Sequence, residues 1–92
     1  GSVVGDNVLI NNGCTVEHDN VVSDHCHLAP ASVTGGGVKI GEETFVGLNA
    51  TIRDHITVGS RVVVGMGSAV IKDTPSDVVS VGCPARIIKR LK

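Results

Sequence analysis

The sequence has a single aromatic residue, Phe45, in 92 positions, with no tryptophan and no tyrosine. A domain of this size ordinarily anchors its core on several aromatics, each of which buries a large area. That route is closed here. Charge is scarce as well: 8 Lys and Arg against 9 Asp and Glu leave a formal net charge of −1. Nucleic-acid binding needs a clustered basic face, and this balance argues against it. No apolar run approaches the roughly 18 residues of a membrane span and no signal peptide is visible. A cytoplasmic protein without a membrane segment is expected. The three cysteines, Cys14, Cys26 and Cys83, are odd in number and irregular in spacing. They suit neither a disulfide framework nor a zinc ribbon, and reduced thiols are expected. The length allows one small domain.

What the chain does have is small aliphatics and glycine: 17 Val, 7 Ile and 4 Leu beside 12 Gly. Such a mixture is poor helix material. Its order is periodic. Every sixth residue from Val4 reads Val4, Ile10, Val16, Val22, Leu28, Thr34, Ile40, Val46, Ile52, Val58, Val64 and Val70, so eleven of twelve are large aliphatics. The residue after the aliphatic is Gly at 5, 35, 41, 47, 59 and 65, where a corner is expected to need a permissive backbone. Four residues after it stand mostly small or β-branched residues, Cys14 and Cys26 among them, which can point inward. A helix repeats its apolar face every 3.6 residues and a plain strand every 2. Period six instead fits a short strand, a turn and another short strand, with three units closing a triangular coil of eighteen residues.

This pattern resembles the hexapeptide-repeat acyltransferases, whose fold is a left-handed parallel β-helix; the handedness is implied by the resemblance alone. The expected architecture is therefore all-β. It has about four 18-residue coils over residues 1–75, and a short C-terminal strand and basic tail over 76–92 in the same domain. Gly82-Cys83-Pro84-Ala85-Arg86 is similar to the closing segment of many such enzymes, so the C-terminus reads as complete. The N-terminus enters the first hexad directly. Gly1-Ser2 reads as a cloning remnant, although Ser2 also fits an inward position.

The run Asn11 to Asp19, with His25-Cys26-His27 and Gly35-Gly36-Gly37, resembles one branch of the family. That branch holds the sialic acid O-acetyltransferases and the nucleotide-linked amino-sugar N-acetyltransferases. It typically shows Glu-His-Glu or Glu-His-Asp with a second histidine nine residues later, as in Glu17-His18-Asp19 and His27. The resemblance implies His18 as general base, Asp19 as the acid that raises its basicity, and His27 in contact with acetyl-CoA. It further implies Leu48 and Met66 as residues whose backbone meets the coenzyme arm. Asp19 is one methylene shorter than the Glu of some relatives.

Spacing adds an independent argument. At eighteen residues per coil, Gly36 stacks on His18 and Asp54 on Gly36. A glycine beside a general base can offer an unshielded N–H to a developing oxyanion, and acyl transfer from a thioester needs both groups. Pro30, Leu48 and Met66 form a second column. Substituting Gly47 or Gly65 is expected to crowd the cleft beside that column and leave the inward core untouched. His18 and His27 are half a coil apart and cannot meet across a filled core, so a shared site requires neighbouring subunits. A homotrimer is expected, which also hides the outward Val21, Val33 and Val63. His25 and His55 read as solvated side chains. Arg86, Lys89, Arg90 and Lys92 either meet the coenzyme's phosphates or are simply solvated.

The expected function is acetyl transfer from acetyl-CoA to an amine or hydroxyl of a sugar-type acceptor, with no bound metal. Two rivals stand beside it. One is a zinc lyase like the γ-class carbonic anhydrases, for which His18, His25 and His27 supply the residue type. The other is a catalytically silent trimerisation module.

Overall fold

The computed structural model describes residues 1–92 and contains strands and turns but no helix. Twelve two-residue strands follow one another every six residues, from β1 (Val3–Val4), β2 (Leu9–Ile10) and β3 (Thr15–Val16) to β12 (Ala69–Val70). Each of the first nine pairs in parallel with the strand eighteen residues on, so that Val4 faces Val22, Val22 faces Ile40 and Ile40 faces Val58. Three strands make a coil and four coils make a three-sided parallel β-helix. The first side carries the strands at 3–4, 21–22, 39–40 and 57–58. The second carries those at 9–10, 27–28, 45–46 and 63–64, and the third those at 15–16, 33–34, 51–52 and 69–70.

Two residues of every hexad point inward, the second of the strand and the one before the next strand. From Asn20 to Val70 every such residue is buried, including the whole series Val22, Leu28, Thr34, Ile40, Val46, Ile52, Val58, Val64 and Val70. Full burial of one such aliphatic side chain is worth about 1.5–3 kcal/mol, so the stacked column supplies the core that aromatics would otherwise provide. Phe45 lies outside that core, on the outward face of the second side. The expected four-coil architecture is the one observed.

Five inward residues share one pattern, donating a hydrogen bond to the carbonyl fifteen residues on, one coil further along. Ser2 donates to Glu17 at 2.9 Å, Cys14 to Ala29 at 3.0 Å and Asn20 to Gly35 at 2.8 Å. Cys26 does the same to Gly41 at 3.0 Å, and Thr44 to Gly59 at 2.8 Å. Cys14 and Cys26 are thus reduced and inward, as expected, and each thiol ties one coil to the next.

The corners differ from expectation. The backbone enters the left-handed region at residues 7, 13, 19 and so on to 67, two positions after the glycines at 5, 35, 41, 47, 59 and 65. Only Gly13, Gly37 and Gly67 of these eleven corner residues are glycine; of the other eight, five are Asn, Asp or His, the types that tolerate this region best. The glycines after the aliphatic have a different reason to be glycine. A Cβ on Gly47 would lie 2.6 Å from the Val64 carbonyl oxygen and 2.7 Å from the Met66 nitrogen, and one on Gly35 would lie 2.6 Å from the Asp54 nitrogen. They allow the next coil to approach. Replacing Gly47 with Val therefore disrupts stacking of the coils, contrary to the expectation that only a cleft would be crowded.

The C-terminal residues also differ from expectation. The anticipated strand is present as β13 (Val78–Gly82), which extends the second side by pairing with Val63–Val64. The basic stretch is no tail, however: Ala85–Arg90 forms a further strand, β14, antiparallel to β13, with Val79 opposite Lys89. Alternation explains this, because Val78 and Ser80 fill the core and leave the outer edge of β13 free to pair.

Candidate active site

His18 sits on the corner between the third and first sides, in the turn that follows Thr15–Val16. The next residue, Asp19, takes the left-handed conformation with φ 57° and turns its carboxylate back onto the ring, where Oδ2 lies 3.2 Å from His18 Nδ1. A carboxylate only accepts, so Nδ1 carries the hydrogen, and in the neutral imidazole Nε2 keeps its lone pair. This bond is the main cause that holds the Asp19 carboxyl below its ordinary range, with the N-terminal ammonium of Gly1 adding to it. Asp19 reaches His18 despite being shorter than glutamate, because its backbone conformation supplies the turn.

The expected stacking of Gly36 on His18 is present. Gly37 N–H donates to the His18 carbonyl at 3.0 Å, and the imidazole lies over Gly36 so closely that a Cβ there would fall 2.7 Å from Cε1 and 2.8 Å from Nε2. The Gly36 N–H donates no hydrogen bond within the chain. A lone pair on Nε2 and an unpaired amide hydrogen thus belong to the same corner.

Beneath this corner lies Asn20, fully buried. Its amide nitrogen donates to the carbonyls of Glu17 at 3.0 Å, His18 at 3.2 Å and Gly35 at 2.8 Å, tying the His18 turn to the Gly35–Gly36 turn. The sequence marks Asn20 only as a polar residue in an inward column. That anomaly is the one signal by which its role was detectable.

His27 lies elsewhere, on the outward face of the second side, which is the side opposite the His18 corner. Asn11 Nδ2 is 2.6 Å from its Nε2, and its ring meets Phe45 edge-on with centroids 5.0 Å apart. His18 and His27 are therefore separated by the filled core, as the half-coil spacing requires. Leu48 and Met66 occupy the corner between the second and third sides, both exposed, and the N–H of Gly67 donates to the Leu48 carbonyl at 2.8 Å. His25 stands on the remaining corner, so His18, His25 and His27 occupy separate edges and faces of one chain. Val21, Val33 and Val63 lie on the first, third and second sides respectively. The second side carries Leu9, His27, Phe45 and Val63 in one outward row.

The one cavity of the chain, about 280 Å3, lies at its far end between the last coil and the hairpin, beside Lys72 and Arg86. That is three coils from His18, whose corner is open. No helix is long and apolar enough to cross a membrane.

Residues 37–72 match the hexapeptide repeat of succinyl-transferase. The galactoside O-acetyltransferase of Escherichia coli is 32% identical over 96% of this chain and 43% of its own length. The serine acetyltransferase of Synechococcus elongatus is 30% identical over 98% of this chain and 41% of its own. Among solved structures, a histidine variant of perosamine N-acetyltransferase from Caulobacter crescentus, in complex with CoA and GDP-perosamine, superposes with a TM-score of 0.93. It is 41% identical over 94% of this chain and 41% of that one. The chain spans less than half the length of each of these proteins. Its unbroken six-residue repeat and these likenesses agree, and the chain belongs to the hexapeptide-repeat acyltransferase family.

Proposed function

We propose that this chain is the transfer core of an acetyl-CoA-dependent acetyltransferase acting on an amine or hydroxyl of a sugar or nucleotide-linked sugar. One observation carries the reading: His18, whose Nδ1 faces Asp19 so that Nε2 is the acceptor nitrogen of the neutral ring, overlies Gly36, whose N–H has no partner. In the reaction His18 takes the proton of the attacking amine or hydroxyl. The new C–N or C–O bond forms at the acyl carbon while the Gly36 N–H donates to the oxygen that becomes negative. The tetrahedral centre then collapses, the C–S bond breaks, and the coenzyme departs as its thiolate. Asp19 favours the imidazolium that His18 becomes.

A homotrimer accounts for the remaining residues. His18 and His27 lie on opposite parts of one chain, so a single site containing both takes His18 from one copy and His27 from its neighbour. The row Leu9, His27, Phe45 and Val63 supplies an apolar face for that contact. In this arrangement His27, Leu48 and Met66 line the path of the coenzyme arm, and the basic residues of β14 lie toward its phosphates. Relatives named for galactoside, serine and perosamine acceptors span several chemistries. The Glu17-His18-Asp19 run and the 41% identity to the perosamine enzyme favour the amino-sugar class.

The test is His18→Ala assayed with acetyl-CoA against GDP-perosamine, a galactoside and serine. Loss of a positioned base costs about 10²–10⁴ in turnover. Acetyl-CoA affinity and assembled mass should be unchanged, since His18 is an exposed side chain. Asp19→Asn should cost less, because the base remains. Wild-type turnover in His18→Ala would remove the assignment.

A further inference from the structure

The corner that carries His18 is a ladder of residue pairs eighteen apart: His18–Asp19, Gly36–Gly37, Asp54–His55 and Lys72–Asp73. Backbone bonds hold the first three rungs in register, from Gly37 N–H to the His18 carbonyl at 3.0 Å and from His55 N–H to the Gly36 carbonyl at 2.8 Å. The middle rung has no side chains, and two imidazoles lean onto it. His18 covers Gly36, and His55 reaches Gly37 from the other side, where a Cβ would fall 2.6 Å from its Nδ1. Each imidazole has a neighbouring carboxylate, in mirrored order. His55 Nε2 is 3.7 Å from Asp54 Oδ2, and Arg53 Nε is 3.8 Å from Asp54 Oδ1.

His25 shows what a merely solvated corner histidine does in this fold. It occupies the same place in its hexad and the same left-handed backbone, but its Nδ1 is 3.0 Å from Asn7 Nδ2 of the preceding coil. His55 has a glycine at the corresponding place, so its ring gains no such partner and rests on bare backbone. The backbones of the His18 and His55 rungs are two coil spacings apart, about 9.6 Å. The rings project into that interval from both ends. What lies between the two rungs is main chain without side chains of its own, and it includes the unpaired Gly36 N–H. A planar acyl carbonyl fits such a strip, with its oxygen at the amide and an imidazole on each side.

We propose that His55 is a second ligand-contacting imidazole of this site, touching the acyl thioester from the side opposite His18. The proposal rests on the acetyltransferase reading above. The charged groups shown beside His55 are Asp54 and, on the far side of that carboxylate, Arg53.

Histidine Cε1–H resonances of the full chain provide the test. Saturating acetyl-CoA should shift His18 and His55 and leave His25 where it was, with free CoA shifting His55 less. His55→Gln should weaken acetyl-CoA binding about three- to tenfold, and His25→Gln should leave it unchanged. If acetyl-CoA shifts His18 and leaves His55 where it was, the acetyltransferase reading stands and the His55 proposal is overturned. If acetyl-CoA binds nowhere on the chain, both fall together.

Discussion

His18 and Gly36, eighteen residues apart, are in direct contact: the imidazole occupies the space that any side chain at 36 would need, with Cε1 only 2.7 Å from the place of a Cβ. The proposed general base and the proposed oxyanion donor are thereby set at one distance by the coil spacing itself. The contact also explains why position 36 must be glycine although its backbone is not left-handed.

Gly36→Ala should therefore be a catalytic lesion more than a folding one. The three atoms nearest to that methyl all belong to the exposed His18 ring, which it displaces. A misplacement of about 1 Å can cost on the order of 10²-fold in rate. Turnover should fall by about that factor while the thermal midpoint shifts little, a comparison read from paired kinetics and calorimetry. Full activity in Gly36→Ala would show that the ring can be moved without consequence.

Thr34 is the exception in the aliphatic series, and its Oγ1 is buried without a hydrogen-bond partner. Burying an unpaired hydroxyl costs about 1–3 kcal/mol by mutational measures. Thr34→Val keeps the shape and removes that cost, so it should stabilise the chain by about 1 kcal/mol in urea unfolding. Asn20→Leu should do the reverse. It orphans the Glu17, His18 and Gly35 carbonyls and should cost about 1–3 kcal/mol. A destabilised Thr34→Val would mean that the hydroxyl has a bound water worth keeping.

Acid should loosen the junction of hairpin and coil first. Arg61 Nε donates to Asp77 Oδ1 at 2.6 Å, and this bond is the main cause that holds the Asp77 carboxyl below its ordinary 3.8. The folded state then binds the proton less readily than the unfolded one. The stabilisation is present above the ordinary carboxylate value and is lost as pH falls through the lowered one. Asp77 also accepts the Leu91 N–H at 2.7 Å through its carbonyl. Amide exchange at Leu91, corrected for intrinsic rate, should accelerate below pH 3.8 in the native chain and be fast already at neutral pH in Asp77→Gly. An Asp77→Asn variant should lose the acid dependence.

The six-residue register was legible in the sequence because a repeat states the same packing problem twelve times. Val4 to Val70 could be placed inward, and the contact of residue 36 with residue 18 followed from arithmetic on the coil. The same arithmetic separated His18 from His27. Other features depended on what each group meets in space. Period alone does not say which corner residue becomes left-handed, so the glycines at 35 and 47 looked conformational when their reason is the backbone of the next coil. The basic stretch at 85–90 became a strand only because β13 offered it an unpaired edge. His25 and His55 are equivalent by position, and only their neighbours separate them: Asn7 binds one ring, and Gly37 leaves the other on open backbone. The periodic part was determined locally and repeatedly; the chemistry of the corner was decided by which side chains the stacked coils happen to bring beside a glycine.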